Sequence, residues 1–198
     1  VGPNPASITA MGLKDAAKKL MQEAGVPVTP GYLGDDQSNE RLQAEADRIG
    51  YPVLIKAAAG GGGRGMRIVE KQETMERHFK SAHEEALAAF GNGDMFIEKY
   101  LVNPKHLEFQ ILGDKHGNVI HLGERECSLQ RKHQKIVEEA LSASISAENR
   151  QKMGELAVKF AKTIGYYSAG TIEFILNENG EYYFMEMNTR IQVEHPVT

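Results

Sequence analysis

The sequence is poor in three features, and each shortage excludes a class of protein. It contains one cysteine, Cys127, so an internal disulfide is impossible and a reducing compartment is indicated. No apolar run approaches the length of a membrane span, and the start VGPNPASITAMG does not have the form of a signal peptide. Positive charge is not in excess, because the net charge is −4 at pH 7, which argues against a protein held by nucleic-acid phosphates. We therefore expect neither a membrane nor a nucleic acid as partner.

The rest of the composition is that of an ordinary globular protein. The chain has 198 residues, of which 41% are hydrophobic and 25% charged, enough for one or two domains with a core. The sequence does not start with Met, and we expect it to be cut from a longer chain. Cys127 is either a small packing residue or a nucleophile, and a free cysteine is more often the former.

Hydrophobic periodicity predicts a mixture of helices and strands without repeats. The predicted helices lie at about 13–24, 40–49, 74–90 and 147–164, the last with Ser146 as its N-cap. The predicted strands are PVLIKA, MRIVE, MFIEKYL, HLEFQIL and NVIHLGE, followed by a hairpin of GTIEFIL and EYYFMEMN around the turn NENG.

Residues 51–71, YPVLIKAAAGGGGRGMRIVEK, hold four consecutive glycines and a fifth two residues later. The letters satisfy the dinucleotide fingerprint, but a Rossmann loop leads from a strand into a helix, and here β-prone residues follow Gly65. A Walker loop is excluded because no Gly-Lys-Ser/Thr follows. The glycines form either a flap whose N–H groups close over phosphates or a flexible linker, and the apolar strands on both sides favour the flap. Lys56, before it, is either a phosphate-binding ammonium or a solvated lysine.

The terminal hairpin predicts a metal site. Glu186 and Asn188 are two residues apart and so share one face of their strand. If the strands pair directly across the turn, Glu173 lies opposite Phe184 and diagonal to Glu186 on that face. Two carboxylates and an amide oxygen are hard ligands that suit Mg²⁺ shared with substrate phosphates. The alternative is an exposed strand face with scattered polar residues.

Two polar stretches accompany these motifs: RECSLQRKHQK at residues 125–135 and TRIQVEH at residues 189–195. A basic run is usually a solvated face or a nucleic-acid patch. In an acidic protein with a phosphate flap, a site for an anionic substrate is the better interpretation. The residues alone therefore predict an ATP- and Mg²⁺-dependent enzyme that handles a second small anion.

This combination resembles the biotin carboxylase branch of the ATP-grasp family. The matching runs are KAAAGGGGRGM, EKYL, ERECSLQRKHQK, AGTIEF and FMEMNTRIQVEHPVT, and they cover essentially the whole chain. ATP-grasp ligases that form amide bonds do not share RKHQK and TRIQVEHPVT. The resemblance implies an α+β fold in which residues 1–30 are a linker and first helix, residues 31–100 the lid subdomain with the glycine flap, and residues 101–198 the truncated, antiparallel-sheet catalytic subdomain.

The resemblance also implies roles for the residues at matching motif positions. The implied ATP-binding residues are Lys14, Lys56, Gly62, Gly63, Glu98, Lys99, Leu101, His106, Gln130 and His133. The implied Mg²⁺ ligands are Glu173, Glu186 and Asn188, the same residues that the hairpin brings together. The implied bicarbonate and biotin residues are Lys135, Arg190, Gln192, Val193 and Glu194, of which Glu194, Arg190 and Lys135 are the expected catalytic residues.

The implied reaction is the ATP-dependent carboxylation of biotin, a C–N ligation that uses Mg²⁺ or Mn²⁺. Glu194 would deprotonate bicarbonate, which attacks the γ-phosphate of ATP to form carboxyphosphate. That intermediate breaks down to CO₂ and phosphate, the phosphate takes the ureido proton of biotin, and Arg190 would stabilise the enolate. The implied partners are a biotin carboxyl carrier, a carboxyltransferase and further copies of the full-length protein, in the cytoplasm or, in a eukaryote, the mitochondrial matrix.

The sequence departs from the family pattern at two places. Residues 139–143 are EALSA where the family usually has EAPAP, and MGLK replaces the commoner MGDK beside Lys14. The loss of two prolines predicts a looser segment but removes no catalytic group. Two other functions remain candidates, an ATP-grasp ligase that joins a carboxylate to an amine and a nucleotide-binding module without turnover. We expect the isolated fragment to be inactive.

Overall fold

The computed structural model describes residues 2–12, 14–32, 34–59, 65–131 and 134–198. The chain divides into two compact units, one formed by the first 28 residues with residues 103–198 and the other by residues 29–102. Each unit contains a four-stranded antiparallel sheet packed against helices. Within the described ranges, no helix has both the length and the apolar character that a membrane crossing requires.

The predicted helices and longer strands are present within a few residues of their expected bounds. The helices are α1 (Pro5–Gly12), α2 (Lys14–Glu23), α3 (Asn39–Ile49), α4 (Met75–Phe90) and α5 (Ala147–Thr163). The strands are β1 (Gly31–Tyr32), β2 (Val53–Ala57), β3 (Arg67–Val69), β4 (Met95–Lys99), β5 (Lys105–Gly113), β6 (Val119–Glu126), β7 (Gln130–Arg131), β8 (Gln134–Lys135), β9 (Ser168–Leu176) and β10 (Tyr182–Asn188). The pattern had not predicted α1 or the two-residue strands β1, β7 and β8, because such short elements carry little periodicity.

The unit of residues 29–102 has a sheet with the strand order β1-β4-β2-β3, and α3 and α4 share one hydrophobic core with it. Along β2 the side chains alternate, so that Val53, Ile55 and Ala57 are buried in this core while Lys56 lies on the other face. The helix α4 ends at Gly91, whose φ of 70° is the left-handed conformation that glycine adopts without strain. Because Val53, Ile55 and Ala57 belong to the core shared with the helices, Lys56 lies on the opposite face of the sheet.

The other unit has a sheet with the strand order β10-β9-β5-β6. Helix α5 packs across β5 and β6, and α1 and α2 contact β10. Residues 1–30 were predicted to be a linker and first helix, but Met11, Met21 and Val26 are buried in the core of this unit. Ser146 caps α5 as predicted, because its hydroxyl oxygen accepts a hydrogen bond from the Asn149 N–H at 3.2 Å.

The two faces of this second sheet differ in chemistry. The face toward the helices is apolar and includes Leu107 and Phe109 of β5 and Phe174 of β9. The opposite face carries polar side chains that are also buried: Glu108, Gln110, Arg125, Thr171 and Glu173. Burying charge is unfavourable unless the groups are paired, so these residues form a connected network.

The hairpin of β9 and β10 has a different register from the predicted one. Phe184 lies opposite Phe174, and after a bulge Glu186 lies opposite Glu173. The predicted pairing of Glu173 with Phe184 was therefore wrong, because Leu176 pairs with Tyr182 rather than with Glu181, and the bulge at Met185 shifts the register by one further residue. The predicted consequence holds, since Glu173 and Glu186 share a face as directly opposed residues rather than diagonal ones.

Candidate active site

Glu173 is the centre of the polar face. It is 2% exposed, and both of its carboxylate oxygens accept hydrogen bonds. Its Oε1 accepts from Lys135 Nζ at 2.9 Å and from Asn188 Nδ2 at 2.6 Å, while its Oε2 lies 2.5 Å from His106 Nε2. Burial alone would raise the pKa of Glu173, but the hydrogen bond from His106 and the ammonium of Lys135 outweigh it and lower the pKa to about 2. The carboxylate is therefore ionised at neutral pH.

His106 links Glu173 to the loop after β6. The Gln130 side-chain amide donates to the backbone oxygen of Cys127 at 2.9 Å, and its nitrogen lies 2.7 Å from His106 Nδ1. The imidazole Nδ1 is therefore the acceptor, and Nε2 carries the proton that is donated to Glu173. Two residues predicted to line the nucleotide site are thus held together by one hydrogen-bond chain.

Lys135 bridges two buried carboxylates. Its ammonium forms ion pairs with Glu173, at 2.9 Å, and with Glu108, which is 0% exposed. Burial opposes the charged form of Lys135, but the charges of Glu173 and Glu108 outweigh burial and raise its pKa above the usual lysine value. Lys135 therefore stays protonated at any working pH and offers a fixed positive charge beside the predicted metal ligands.

The side chains of Glu186 and Asn188 fit a Mg²⁺ site together with Glu173. Within the part of the chain that the structure describes, half-buried Glu186 has no hydrogen bond or ion pair, although it lies directly opposite Glu173. Two carboxylates on directly opposed positions place their Cβ atoms about 5 Å apart and repel each other without a cation. Hard oxygen donors in small number suit Mg²⁺ that is also bound by substrate phosphates. The donor set therefore fits the predicted ion.

The segment after β10 presents its predicted residues in different ways. Gln192 is 6% exposed and its Oε1 accepts a hydrogen bond from buried Arg125 at 3.3 Å. Arg190 is exposed, and its described hydrogen bond goes to the backbone oxygen of Ile191 at 3.2 Å. Val193 is 92% exposed. Gln192 is thus part of the buried network, whereas Arg190 and Val193 extend from it.

Glu194 belongs to a group of three carboxylates that the sequence did not predict. Oxygen atoms of Glu108, Glu138 and Glu194 lie within 4.8 Å of one another. Burial, followed by the negative charges of Glu108 and Glu194, raises the pKa of Glu138 to about 7, although Lys135 and Arg125 oppose the shift. The predicted base therefore lies beside two further carboxylates.

With this geometry established, comparison with known proteins identifies the family. The profile described as carbamoyl-phosphate synthase L chain, ATP binding domain, matches residues 14–198. The chain belongs to this family. It is 56% identical, over 198 residues, to the mitochondrial methylcrotonoyl-CoA carboxylase subunit alpha of Dictyostelium discoideum, covering 100% of this chain and 28% of that protein.

Solved structures of the family superpose closely on the chain. A biotin carboxylase complex with β,γ-ATP from Campylobacter jejuni has a TM-score of 0.92 at 52% identity, covering 99% of this chain and 44% of that one. The biotin carboxylase domain dimer of Hydrogenobacter thermophilus 2-oxoglutarate carboxylase, with MgADP, ADP and bicarbonate, has a TM-score of 0.91 at 57% identity, covering 98% and 43%. The predicted resemblance to biotin carboxylases and the α+β ATP-grasp fold are confirmed. The chain spans less than half the length of each of these proteins.

Four of the predicted nucleotide residues of this family member, Lys56, Glu98, Lys99 and Leu101, lie in the unit of residues 29–102. Lys56 Nζ is 2.5 Å from Glu98 Oε2 and lies over the Phe96 ring, 5.6 Å from its centroid. Lys99 instead donates to the backbone oxygens of Gly50 and Tyr51, at 2.8 and 3.1 Å, and Leu101 is half-buried. The structure therefore brings Lys56 and Glu98 together on one sheet face and directs the Lys99 ammonium elsewhere.

Several predicted ATP-binding groups lie outside the described residues. These are Gly62, Gly63, His133 and the side chain of Lys14. Their predicted roles rest on the sequence.

Ser142 anchors residues 139–143, the segment that departs from the family pattern. This residue is 2% exposed, its N–H donates to Glu124 at 3.0 Å and its hydroxyl donates to Glu126 at 2.6 Å. Arg150 also donates to the Ser142 carbonyl oxygen at 2.9 Å. The segment that was predicted to be looser is thus anchored by hydrogen bonds.

Cys127 is completely buried and serves packing, in agreement with the favoured interpretation. Burial raises the pKa of its thiol well above the usual cysteine range, and the negative charge of Glu108 adds to this shift although Lys135 opposes it. A thiol in this state is not a nucleophile at neutral pH.

Sequence reasoning did not assign roles to Glu108, Gln110 and Arg125. The signal for the first two was present, because in HLEFQIL the polar residues alternate with Leu107, Phe109 and Ile111. Polar residues at every second position of an otherwise apolar strand indicate a second buried face with paired charges. Arg125 had been grouped with a basic loop, whereas it lies on β6 and points into that face.

Proposed function

We propose that the longer protein containing this chain catalyses the ATP- and Mg²⁺-dependent carboxylation of biotin by bicarbonate. The observation that carries the proposal is the single polar face on which Glu173, Glu186 and Asn188 lie beside Lys135. A cation-binding set next to a fixed ammonium suits a reaction between two anions, the γ-phosphate of ATP and bicarbonate. The bound nucleotides and bicarbonate of the solved relatives support the same interpretation.

In this proposal Glu173, Glu186 and Asn188 hold Mg²⁺, which neutralises phosphate charge when bound. His106 and Gln130 orient Glu173 through the hydrogen-bond chain that ends at its Oε2. In the lid unit Lys56 contacts ATP phosphates, and Glu98, Lys99 and Leu101 provide the adenine edge through backbone groups. The carboxylate of Glu98 and the ammonium of Lys99 already have partners within their own unit, which supports a backbone role for these residues.

Glu194 acts as the base in the first step. It removes the proton of bicarbonate, whose oxygen attacks the γ-phosphate and releases ADP, so that carboxyphosphate forms. One of its carboxylate oxygens lies within 4.8 Å of oxygens of Glu108 and Glu138. Lys135 and Gln192 hold the bicarbonate.

The second step transfers CO₂ to biotin. Carboxyphosphate splits into CO₂ and phosphate, the phosphate takes the ureido proton, and the biotin nitrogen forms its bond to CO₂. Arg190 stabilises the enolate that develops, and its exposed side chain, together with Val193, supports a position where a biotin on a carrier arrives from solvent. We further propose a biotin carboxyl carrier and a carboxyltransferase as partners and a homo-oligomer of the full-length protein.

The test is ATP cleavage by the full-length protein, with bicarbonate and biotin added separately and together. We expect cleavage to require bicarbonate and to rise with free biotin, with carboxybiotin as product. Cleavage that requires an amine and a carboxylate instead would favour the amide-forming ATP-grasp ligases. ATP binding measured by calorimetry, without turnover under any of these conditions, would favour a nucleotide-binding module.

A further inference from the structure

The largest fully buried polar side chain of the sheet face is not among the residues predicted to act. Arg125 is 0% exposed on β6, and its guanidinium makes hydrogen bonds through all of its nitrogens. The acceptors are Glu108 Oε1 at 2.6 Å, Gln110 Oε1 at 3.0 Å, Thr198 Oγ1 at 2.6 Å, Thr171 Oγ1 at 3.4 Å and Gln192 Oε1 at 3.3 Å. A guanidinium has five N–H groups, so its donor capacity is fully used.

The acceptors of Arg125 lead to three of the predicted bicarbonate and biotin residues. Gln192 is bonded directly. Lys135 is reached through Glu108, since one oxygen of this carboxylate accepts from Arg125 and the other pairs with Lys135. Arg125 also interacts electrostatically with the group of three carboxylates that contains Glu194, because its Nε lies 3.4 Å from Glu138 of that group.

Arg125 also balances the charge of this region. Glu108 is 0% exposed, and a carboxylate in that position needs a positive partner. Arg125 and Lys135 are the two cations whose charges act on Glu138 against the repulsion of Glu108 and Glu194. Without Arg125 the carboxylates repel one another, and of the two cations named here Lys135 alone remains, so Glu108 loses its fixed position and Lys135 its anchor.

We propose that Arg125 is a positioning residue for the bicarbonate half of the site. It fixes Gln192 and, through Glu108, the ammonium of Lys135, and it has no hydrogen bond or ion pair with those predicted nucleotide residues that the structure describes. This inference rests on the proposed function, because it concerns the binding of bicarbonate. The contrasting possibility is a purely structural ion pair, which would affect the folded fraction and nothing else.

The structure supplies a matched control on the same strand. Arg150 pairs with the neighbouring residue Glu124, at 2.7 Å between Nε and Oε1, and Glu124 is also 0% exposed. Glu124 points to the helix face, because Arg150 belongs to α5, which packs on β5 and β6. Arg150→Lys therefore weakens an ion pair between a half-buried arginine and a buried carboxylate, away from the bicarbonate residues.

The experiment compares Arg125→Lys with Arg150→Lys in the full-length protein. Lysine keeps the charge but offers three donors from a point instead of a planar fork, so it cannot satisfy the five acceptors. We expect Arg125→Lys to raise the KM for bicarbonate roughly 10-fold or more, the scale seen when an orienting partner of a ligand-binding residue is lost, with the KM for Mg·ATP changed less than about twofold. Arg150→Lys should leave both KM values unchanged.

The outcomes separate the inference from the proposed function. A wild-type protein whose ATP cleavage is not stimulated by bicarbonate would overturn the proposed function and this inference with it. Stimulation in the wild type, with an unchanged bicarbonate KM in Arg125→Lys and a rate reduced only in proportion to folded protein, would overturn the inference alone. If Arg125→Lys does not fold, Thr171→Val is the second variant, because it removes one acceptor of the guanidinium and no charge. It should raise the KM for bicarbonate a few-fold. An unchanged KM in this variant would refute the positioning role.

Discussion

The substitution of Glu186 by Gln separates metal binding from folding. Within the described residues this carboxylate has no hydrogen bond or ion pair, and it shares a face with Glu173. Glu186→Gln keeps the shape of the side chain and removes one negative charge. We expect the free energy of unfolding to change by less than about 0.5 kcal/mol, because no partner is left unpaired. A relief of the repulsion from Glu173 could only add stability.

The metal site should respond very differently to the same change. A hydrogen bond or contact to a charged group contributes about 1.5–3 kcal/mol, and about 1.4 kcal/mol corresponds to a factor of ten in an equilibrium constant. Loss of one of two carboxylate ligands should therefore raise the Mg²⁺ concentration needed for half-maximal ATP binding roughly 10- to 100-fold. The assay is a Mg²⁺ titration of ATP binding and of ATP cleavage in the full-length protein.

Glu173→Gln is the matched comparison for this prediction. Glu173 accepts from Lys135, His106 and Asn188, so its loss leaves buried donors with a neutral partner. Breaking a buried ion pair costs about 3–5 kcal/mol, and Lys135 still keeps Glu108, so we expect about 3 kcal/mol. The reasoning fails if the Glu186 variant has the Mg²⁺ dependence of the wild type, or if both variants lose the same stability.

The remaining predictions concern four residues: the predicted base Glu194, the exposed Arg190, the buried Ser142 and the thiol of Cys127. Glu194→Gln should abolish bicarbonate-dependent ATP cleavage and leave the affinity for ATP nearly unchanged. Arg190→Ala should instead lower carboxybiotin formation roughly 100-fold while part of the ATP cleavage survives. A parallel loss of both activities in the Arg190 variant would contradict the role of Arg190 as enolate stabiliser. Ser142→Ala should cost about 1–3 kcal/mol of unfolding free energy at neutral pH, because Glu126 loses a buried donor. Burial alone would raise the pKa of Glu126, but hydrogen bonds from Ser142 and two other serines lower it. The stabilisation from these hydrogen bonds is therefore present above the usual glutamate pKa and is lost as the pH falls through the lowered pKa. A cost of Ser142→Ala that does not depend on pH would refute this link. Cys127 should react with a thiol reagent only at the rate of unfolding, since it is completely buried, and fast labelling of the native protein at neutral pH would show otherwise.

The parts of the fold that were predictable are those that depend on local sequence. Amphipathic periodicity placed α3, α4 and α5 within about a turn, and Ser146 was identifiable as a cap because its hydroxyl acts three residues away. The core role of the first 28 residues was not predictable, because Met11 and Met21 pack against strands more than a hundred residues later in the chain. Pattern analysis reports which face of an element is apolar but not which element covers it.

In the candidate site, too, local motifs were informative and contacts between distant segments were not predictable. Motifs identified Lys135, Glu173, Glu186 and Asn188, since these residues stand in recognisable runs. The partners that hold them belong to other strands: Glu108 anchors Lys135 from β5, in a segment without a recognisable motif. The contacts arise only when β5, β6 and β9 lie side by side, so a single sequence cannot provide them.

The bulge at Met185 explains why Glu173 and Glu186 share a face although the predicted register was wrong. Phe184 and Phe174 face each other on the apolar side, in the register that the turn sets. If this register continued without interruption, Glu173 would oppose Met185 and Glu186 would oppose Ile172, which is buried in the core. A carboxylate there would be desolvated among apolar side chains, at a cost of several kcal/mol. The extra residue moves Glu186 to the polar face and Met187 into the core, so burial of the apolar side chains and assembly of the carboxylate pair require the same irregularity.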